Sequence, residues 1–172
     1  MNEALKAIYN RRSIRKYKPE QIREEELEAV LKAGVCAPTG MNRQSPIIVV
    51  VQDRESIDRL SRLNAAVNGW DSDPFYGAPT VLIVLADAKS PHAVQDGSLV
   101  IGNLMNAASA LGLGSCWINR AKEVFDSPEG KALLKKWGVD ERYIGVGHCI
   151  LGYAANEAPA PKPRKKDYVI NR

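Results

Sequence analysis

The stretch from Ser90 to Asn119, SPHAVQDGSLVIGNLMNAASALGLGSCWIN, organises the reading of the whole chain. Ser90-Pro91 reads as a helix cap followed by a first-turn proline, where the missing N–H of proline has no acceptor to lose. The longest helix of the chain runs from there to Leu111, with Gly112 as its stop. Gly97, Ser98, Gly102, Ala107, Ala108 and Ala110 dot that helix. Small residues let other backbones pack closely, so this is expected to be the central helix. Gly114 to Ile118 then reads as a short strand.

Toward the N-terminus, Val81–Leu85 and Ile47–Val51 are continuous apolar runs, as expected of strands buried on both faces. Asp53 is placed to cap a helix carrying Ile57, Leu60 and Val67. Glu24, Glu25 and Glu26 suit the positive end of a helix dipole. Leu27, Val30, Leu31, Gly34 and Val35 form the stripe of that helix, and Pro38 ends it. Leu5, Ile8 and Tyr9 follow Asn2 at helical spacing, in a first helix that fades near Arg11.

Toward the C-terminus, Ser127-Pro128 opens a helix ending near Trp137-Gly138, and Tyr143–Leu151 reads as a further strand. Residues 154–166 are rich in Pro and Ala, which excludes regular helix or a central strand. Residues 167–170 suit a short terminal strand. Helices mixed with about four strands give an α+β fold. The 172 residues fit one domain without an internal boundary, with 154–172 as an extended tail. Tyr168, Val169 and Ile170 are apolar, which suits the tail to wrapping a partner subunit or adding a strand to its sheet.

Charge sharpens the functional reading. The net charge is +4, and it is concentrated in Arg11, Arg12, Arg15, Lys16 and Lys18 near one end and Lys162, Arg164, Lys165 and Lys166 near the other. These clusters read either as a solvated surface or as an anion site assembled from both ends of the chain. No interleaved aromatics or reader motif accompany them, which argues against nucleic acid as partner. Cys36, Cys116 and Cys149 lack metal or disulfide spacing. They read as small buried residues in a reducing cytoplasm. No signal peptide and no membrane-spanning run is expected.

Familiar catalytic motifs are missing. The chain has no GxxxxGK[ST], HExxH or GxSxG, and neither Gly112-x-Gly114 nor Gly145-x-Gly147 completes a dinucleotide fingerprint. Of the two histidines, His148 lies in an apolar strand and reads as a hydrogen-bonded core residue, while His92 reads as an exposed first-turn residue. No catalytic side chain and no metal site is assigned. A pocket without acid–base residues leaves the chemistry to a cofactor.

Three segments could hold one. Arg11-Arg12-Ser13-Ile14-Arg15 packs three guanidinium groups and a hydroxyl into five residues, a strong phosphate ligand set because Arg donates in pairs. Pro38-Thr39-Gly40-Met41-Asn42-Arg43-Gln44-Ser45-Pro46 is a polar turn whose amides can both donate and accept, as the edge of a heteroaromatic ring requires. Leu111-Gly112-Leu113-Gly114-Ser115-Cys116-Trp117-Ile118-Asn119 has glycines that let backbone approach a flat ligand. Each alone reads equally well as an ordinary loop or helix stop.

Together and in this order they resemble the nitroreductase family of flavoproteins. Pro161-Lys162-Pro163-Arg164 looks like that family's C-terminal phosphate clamp, and Phe75-Tyr76-Gly77-Ala78-Pro79 like the segment leading into its second strand. The resemblance covers nearly the whole chain and implies a mostly antiparallel central sheet flanked by helices. It implies an FMN-dependent homodimer in which Arg11, Arg12, Ser13, Arg15, Lys162 and Arg164 hold the ribityl phosphate. Pro38, Thr39, Gly40, Asn42 and Gln44 would come from the other subunit to line the ring. Trp117, Ile118 and Asn119 would lie along it, with Asn68 as a further candidate.

The implied reaction passes hydride from NADH or NADPH to a small-molecule acceptor, such as a nitroaromatic or quinone, in ping-pong fashion. Enone reduction, dehalogenation or flavin sensing without turnover are the alternatives. Asn119-Arg120 and the extra residue in Gln44-Ser45-Pro46 depart from the family pattern, and the chain is short for the helices that cover the site in longer relatives.

Overall fold

The computed structural model describes residues 2–172. Among these residues six α-helices and four strands follow in the order α1 (Glu3–Asn10), α2 (Glu24–Val35), β1 (Pro46–Val51), α3 (Arg54–Asn68), β2 (Thr80–Asp87), α4 (Ala93–Ala110), β3 (Gly114–Ile118), α5 (Ala121–Asp126), α6 (Pro128–Lys136) and β4 (Tyr143–Gly152). The strands form one sheet in the order β1-β2-β4-β3, antiparallel throughout. The fold is α+β.

Alternation along β2 builds two cores from one strand. Val81, Ile83 and Leu85 face one side, with Ile57, Phe75, Phe125, Leu133 and Ile150 beneath α3, α5 and α6. Leu82, Val84 and Ala86 face the other, with Val30, Ile101, Leu104 and Cys149 beneath α2 and α4. β2 is therefore buried on both faces, as its composition predicts. Between Val84 and Leu85 the register against β4 slips, so Gly147 and Gly145 pair across while Val146 is left over as a bulge.

Local caps explain several boundaries. Asn2 Oδ1 accepts the Ala4 N–H at 2.8 Å, and Asp53 Oδ1 accepts the Ser56 N–H at 2.8 Å. Ser127 Oγ accepts the Gly130 N–H at 3.0 Å, with Pro128 as the first residue of α6. α3 ends at Gly69 and α4 is followed by Gly112, both left-handed (φ 64° and 75°).

Some expectations are corrected. β1 is an edge strand and only half-buried, because among the described residues no strand pairs with its outer side. Val67 is on the exposed side of α3. Ser90-Pro91 forms a turn ahead of α4, with Ser90 Oγ accepting the His92 N–H at 3.3 Å; His92 itself is the cap residue and is exposed. α5 went unrecognised in the sequence because it is six residues long, too short to show a period. Cys36 is exposed, whereas Cys116 and Cys149 are buried, and all three are free. Residues 166–168 form a single 3-10 turn, not a strand. Among the described residues, no helix is long and apolar enough to cross a membrane.

Candidate functional site

The first and third sequence motifs meet at the C-terminal end of α4. After α1 the chain runs extended beside β3: Ser13 bridges Ser115 in parallel fashion, and the Ile14 N–H donates to the Ser115 carbonyl at 3.0 Å. Ser109 Oγ ties α4 to α1 through the Ala7 carbonyl at 3.0 Å. These contacts enclose a cavity of about 310 Å³ whose lining includes Arg11, Arg12, Ser109, Gly112, Gly114 and Ser115.

The cations there have different roles. Arg11 is half-buried against the cavity. Arg12 also lines it, but its Nη1 donates to the Tyr9 and Arg11 carbonyls, both at 2.8 Å. It thereby serves the orphan carbonyls at the end of α1. Arg15 is exposed and sits 6.0 Å from the centroid of the Tyr76 ring.

β3 is the sheet's other edge. The Ser115 carbonyl is bonded from outside by Ile14, so the alternation of an antiparallel pair turns the Trp117 N–H outward as well. The Trp117 indole packs back over Gly147, where any Cβ would strike it. Ile118 is buried in the α5 core. Asn119 is exposed, and its carbonyl accepts from Asn64 Nδ2 at 2.7 Å. Arg120 follows in the left-handed region (φ 73°), its Nε donating to Asn68 Oδ1 at 3.3 Å and its Nη1 to Glu123 at 2.9 Å.

The second motif lies elsewhere, packed on the first turn of α4. Gly40 N–H donates to Asp96 Oδ1 at 2.9 Å, and Gln44 N–H to Thr39 Oγ1 at 3.0 Å. Met41, Asn42 and Gln44 all hold positive φ (55°, 53° and 51°), a conformation that costs non-glycine residues about 1 kcal/mol or more each. Gln44 Nε2 donates to Asn42 Oδ1 at 3.2 Å, and both side chains are exposed together with Pro38. Asp96 and Ser109 are 13 positions apart on α4, about 20 Å along its axis. Within one chain, then, the polar loop and the arginine cavity stand at opposite ends of the central helix.

The tail leaves the body after Tyr17 bridges Ala154 and the Ala155 N–H bonds the Lys16 carbonyl at 3.0 Å. Lys162 and Arg164 lie beyond that anchor and are exposed. Ala158 still lines the arginine cavity, but Lys162 and Arg164 are not among its lining residues.

Three groups are strongly perturbed, all by burial. Burial drives the Tyr17 phenol upward while its hydroxyl donates to the Ile14 carbonyl at 2.7 Å. It pushes the Cys149 thiol up to about 12 and the His148 imidazole down to about 4. Each change favours the neutral form at pH 7, so these are core groups and not acid–base catalysts. Neither ring nitrogen of His148 has a hydrogen-bond partner, which corrects the expectation of a hydrogen-bonded histidine. Among the described residues no cluster of His, Cys, Asp or Glu is placed to hold a metal ion. Asp96 and Asn64, both buried, were missed in the sequence. The one signal for Asp96 was an acid in the first turn of the longest helix.

Comparison with known proteins adds a common theme. Residues 8–153 match the model of the nitroreductase family. An Archaeoglobus fulgidus protein named as a NADH dehydrogenase/NAD(P)H nitroreductase is 37% identical over 163 residues, covering 91% of this chain and 88% of its own. A Bacillus subtilis FMN reductase [NAD(P)H] is 26% identical, covering 99% of this chain and 73% of its own. Among solved structures, a Bacteroides fragilis nitroreductase with bound FMN superimposes with a TM-score of 0.90 at 33% identity, covering 100% of this chain and 99% of its own.

Proposed function

The chain belongs to the nitroreductase family, and from that premise we propose how its residues serve the chemistry. It is an FMN-dependent oxidoreductase that uses NAD(P)H. When bound, FMN supplies a reversible two-electron centre that takes hydride from the nicotinamide and passes it to the acceptor. The protein's own part is to bind, orient and exclude.

The observation that carries the site assignment is the Ser13–Ser115 bridge, which joins the arginine segment to the glycine-rich strand around one cavity. Arg11 and Arg12 line that cavity and hold the ribityl phosphate together with Ser13 and Arg15 of the same segment, Arg12 also fixing the end of α1. Guanidinium groups suit the group's two phosphate charges. Trp117 at the outer edge of β3 and Asn119 just beyond it lie along the ring, with Ile118 buried behind them, and the outward Trp117 N–H can stabilise charge on the reduced ring. The buried Asn64 fixes the Asn119 carbonyl and hence this edge.

A second copy of the chain completes the site. Pro38, Thr39, Gly40, Asn42 and Gln44 cannot reach the cavity of their own chain, so they line the ring held by the partner. Leu99 is exposed on α4, and the neighbouring Gly102 faces open space, which gives the partner a close-packing face. The tail, residues 154–172 of a single domain, carries Lys162 and Arg164 to the partner's phosphate and Tyr168–Ile170 to its apolar surface. The half-covered β1 edge beside a groove of about 430 Å³ lined by Leu31, Val35, Ile47 and Ile48 suits that role. The acceptor is a small oxidised molecule such as a nitroaromatic or quinone. Three free cysteines fit the reducing cytoplasm.

The test is an absorbance spectrum of the purified dimer before and after NADH or NADPH. One FMN per chain that bleaches with a nicotinamide and recovers with acceptor supports the reading. A protein that stays colourless after added FMN overturns the site assignment, and one that bleaches but never turns over is a flavin-binding protein without this activity.

A further inference from the structure

One carboxylate holds both ends of the left-handed loop. Asp96 is 3% exposed. Its Oδ1 accepts the Gly40 N–H at 2.9 Å, and its Oδ2 accepts the Ser45 hydroxyl at 3.4 Å. Gly40 and Ser45 bracket Met41, Asn42 and Gln44, the three residues at positive φ. The His92 ring fills the space where a Gly40 side chain would stand. Asp96 is itself set by the helix, its N–H donating to the His92 carbonyl at 2.8 Å. Strain of this kind persists only where surrounding bonds over-determine it.

We propose that Asp96 is the positioning residue for the flavin edge: by clamping Gly40 and Ser45 it keeps the loop strained and the Asn42 and Gln44 amides aimed outward at the ring bound by the partner subunit. This rests on the reading that the loop lines that ring. Without the carboxylate the loop relaxes toward negative φ and the amides swing away, so the ring loses its orienting hydrogen bonds while the phosphate clamp stays intact. The loss falls on FMN affinity and on the ring's electronic environment together.

The test uses full-length holoprotein. Asp96→Ala is expected to raise the FMN dissociation constant about tenfold or more, the loss expected of a hydrogen bond to a charged group, and to shift both the visible flavin spectrum and the midpoint potential. Asp96→Asn keeps an acceptor for Gly40 and offers its N–H to Ser45, so it should stay within about threefold of wild type. Ser45→Ala leaves α4 untouched and frees one end of the loop, with an expected rise of about threefold; it decides the matter if Asp96→Ala does not fold. An Asp96→Ala protein with a lower melting temperature but wild-type FMN affinity, spectrum and potential overturns the proposal, leaving Asp96 a purely structural residue. Gln44→Ala separates this from the underlying reading. If Gln44→Ala weakens FMN and Asp96→Ala does not, only the role of Asp96 fails; if Gln44→Ala has no effect on FMN affinity or spectrum, the loop does not line the ring and both fall.

Discussion

The imidazole of His148 lies 5.2 Å, centroid to centroid, from the ring of Phe75 at a tilt of 52°. Phe125 lies 5.9 Å from the same ring, so a titratable group is held among aromatic rings with no hydrogen-bond partner. Desolvation therefore dominates and lowers its pKa from 6.5 to about 4; the nearby Ile118 and Asn119 backbone favours the protonated form only in part.

Acid should thus weaken the fold earlier than carboxylates alone would dictate. Below pH 6.5 the unfolded chain takes up a proton at this residue that the folded chain refuses until about pH 4. Stability is unaffected at pH 7, falls as pH drops from 6.5 toward 4, and levels off below. The full loss is about 3 kcal/mol. Urea unfolding of wild type and His148→Phe at pH 7.0 and about pH 4.5 should show the variant losing about 2–3 kcal/mol less. Equal losses in both would remove His148 from the account.

Two helical glycines should respond in opposite ways to alanine. In an open helix interior the change stabilises by about 0.5–1 kcal/mol. Gly130 is not open: a Cβ there would run into the Val124 carbonyl of α5, backbone that cannot yield cheaply. Gly130→Ala should cost about 1–3 kcal/mol, read by urea unfolding. Gly102 has nothing within 4 Å of an added Cβ in its own chain. Gly102→Ala is expected to do no harm to the subunit but, if α4 forms the proposed dimer face, to shift the protein toward monomer in sedimentation. An unshifted dimer would mean that α4 pairs by another face.

The contrast between these glycines marks where sequence stops being informative. Long, strongly patterned elements were readable: α4, β2 and β4 follow from their length and continuous burial, and Asn2, Asp53 and Ser127 cap as their chemistry predicts. The half-exposed edge of β1 was not readable, because Ile47–Val51 has the composition of a central strand and only the strand order exposes it. α5 was hidden by its brevity. The partnering of Ser13 with Ser115 spans about a hundred residues and leaves no local trace. The three left-handed residues of the loop are equally silent, since Met41, Asn42 and Gln44 around Arg43 resemble any polar turn until Asp96 is seen holding Gly40. The site motifs could be named in order, but their division between the two ends of α4 is a property of the fold alone.

The phosphate reading makes a graded prediction. Arg11 faces the cavity with its guanidinium uncommitted to the backbone, while Arg12 is bonded to the carbonyls of Tyr9 and Arg11. Arg11→Ala should therefore raise the FMN dissociation constant about 10- to 100-fold, the range for charge-assisted bonds, with little effect on unfolding of the apoprotein. Arg12→Ala should show the reverse emphasis, destabilising the end of α1 by about 1 kcal/mol and weakening FMN less. Fluorescence titration with FMN and urea unfolding of both variants check the pair; similar FMN losses for the two would mean that Arg12 leaves its carbonyls when the phosphate binds.

A mixing experiment tests whether the two halves of the site come from different subunits. Arg11 belongs to the cavity and Gln44 to the loop about 20 Å away along α4, so in the proposed dimer each site takes one from each chain. Arg11→Ala and Gln44→Ala homodimers each carry a defect in both of their sites. Unfolded together and refolded, half of the dimers should be mixed; in each of these one site collects both substitutions and the other collects neither. Random pairing therefore restores wild-type character to about one-quarter of all sites. The check is a tight FMN-binding phase of wild-type affinity in an equilibrium titration, of about that amplitude, present in the mixture and missing from either variant alone. If each subunit built its whole site from its own residues, every site would keep one substitution and no such phase would arise.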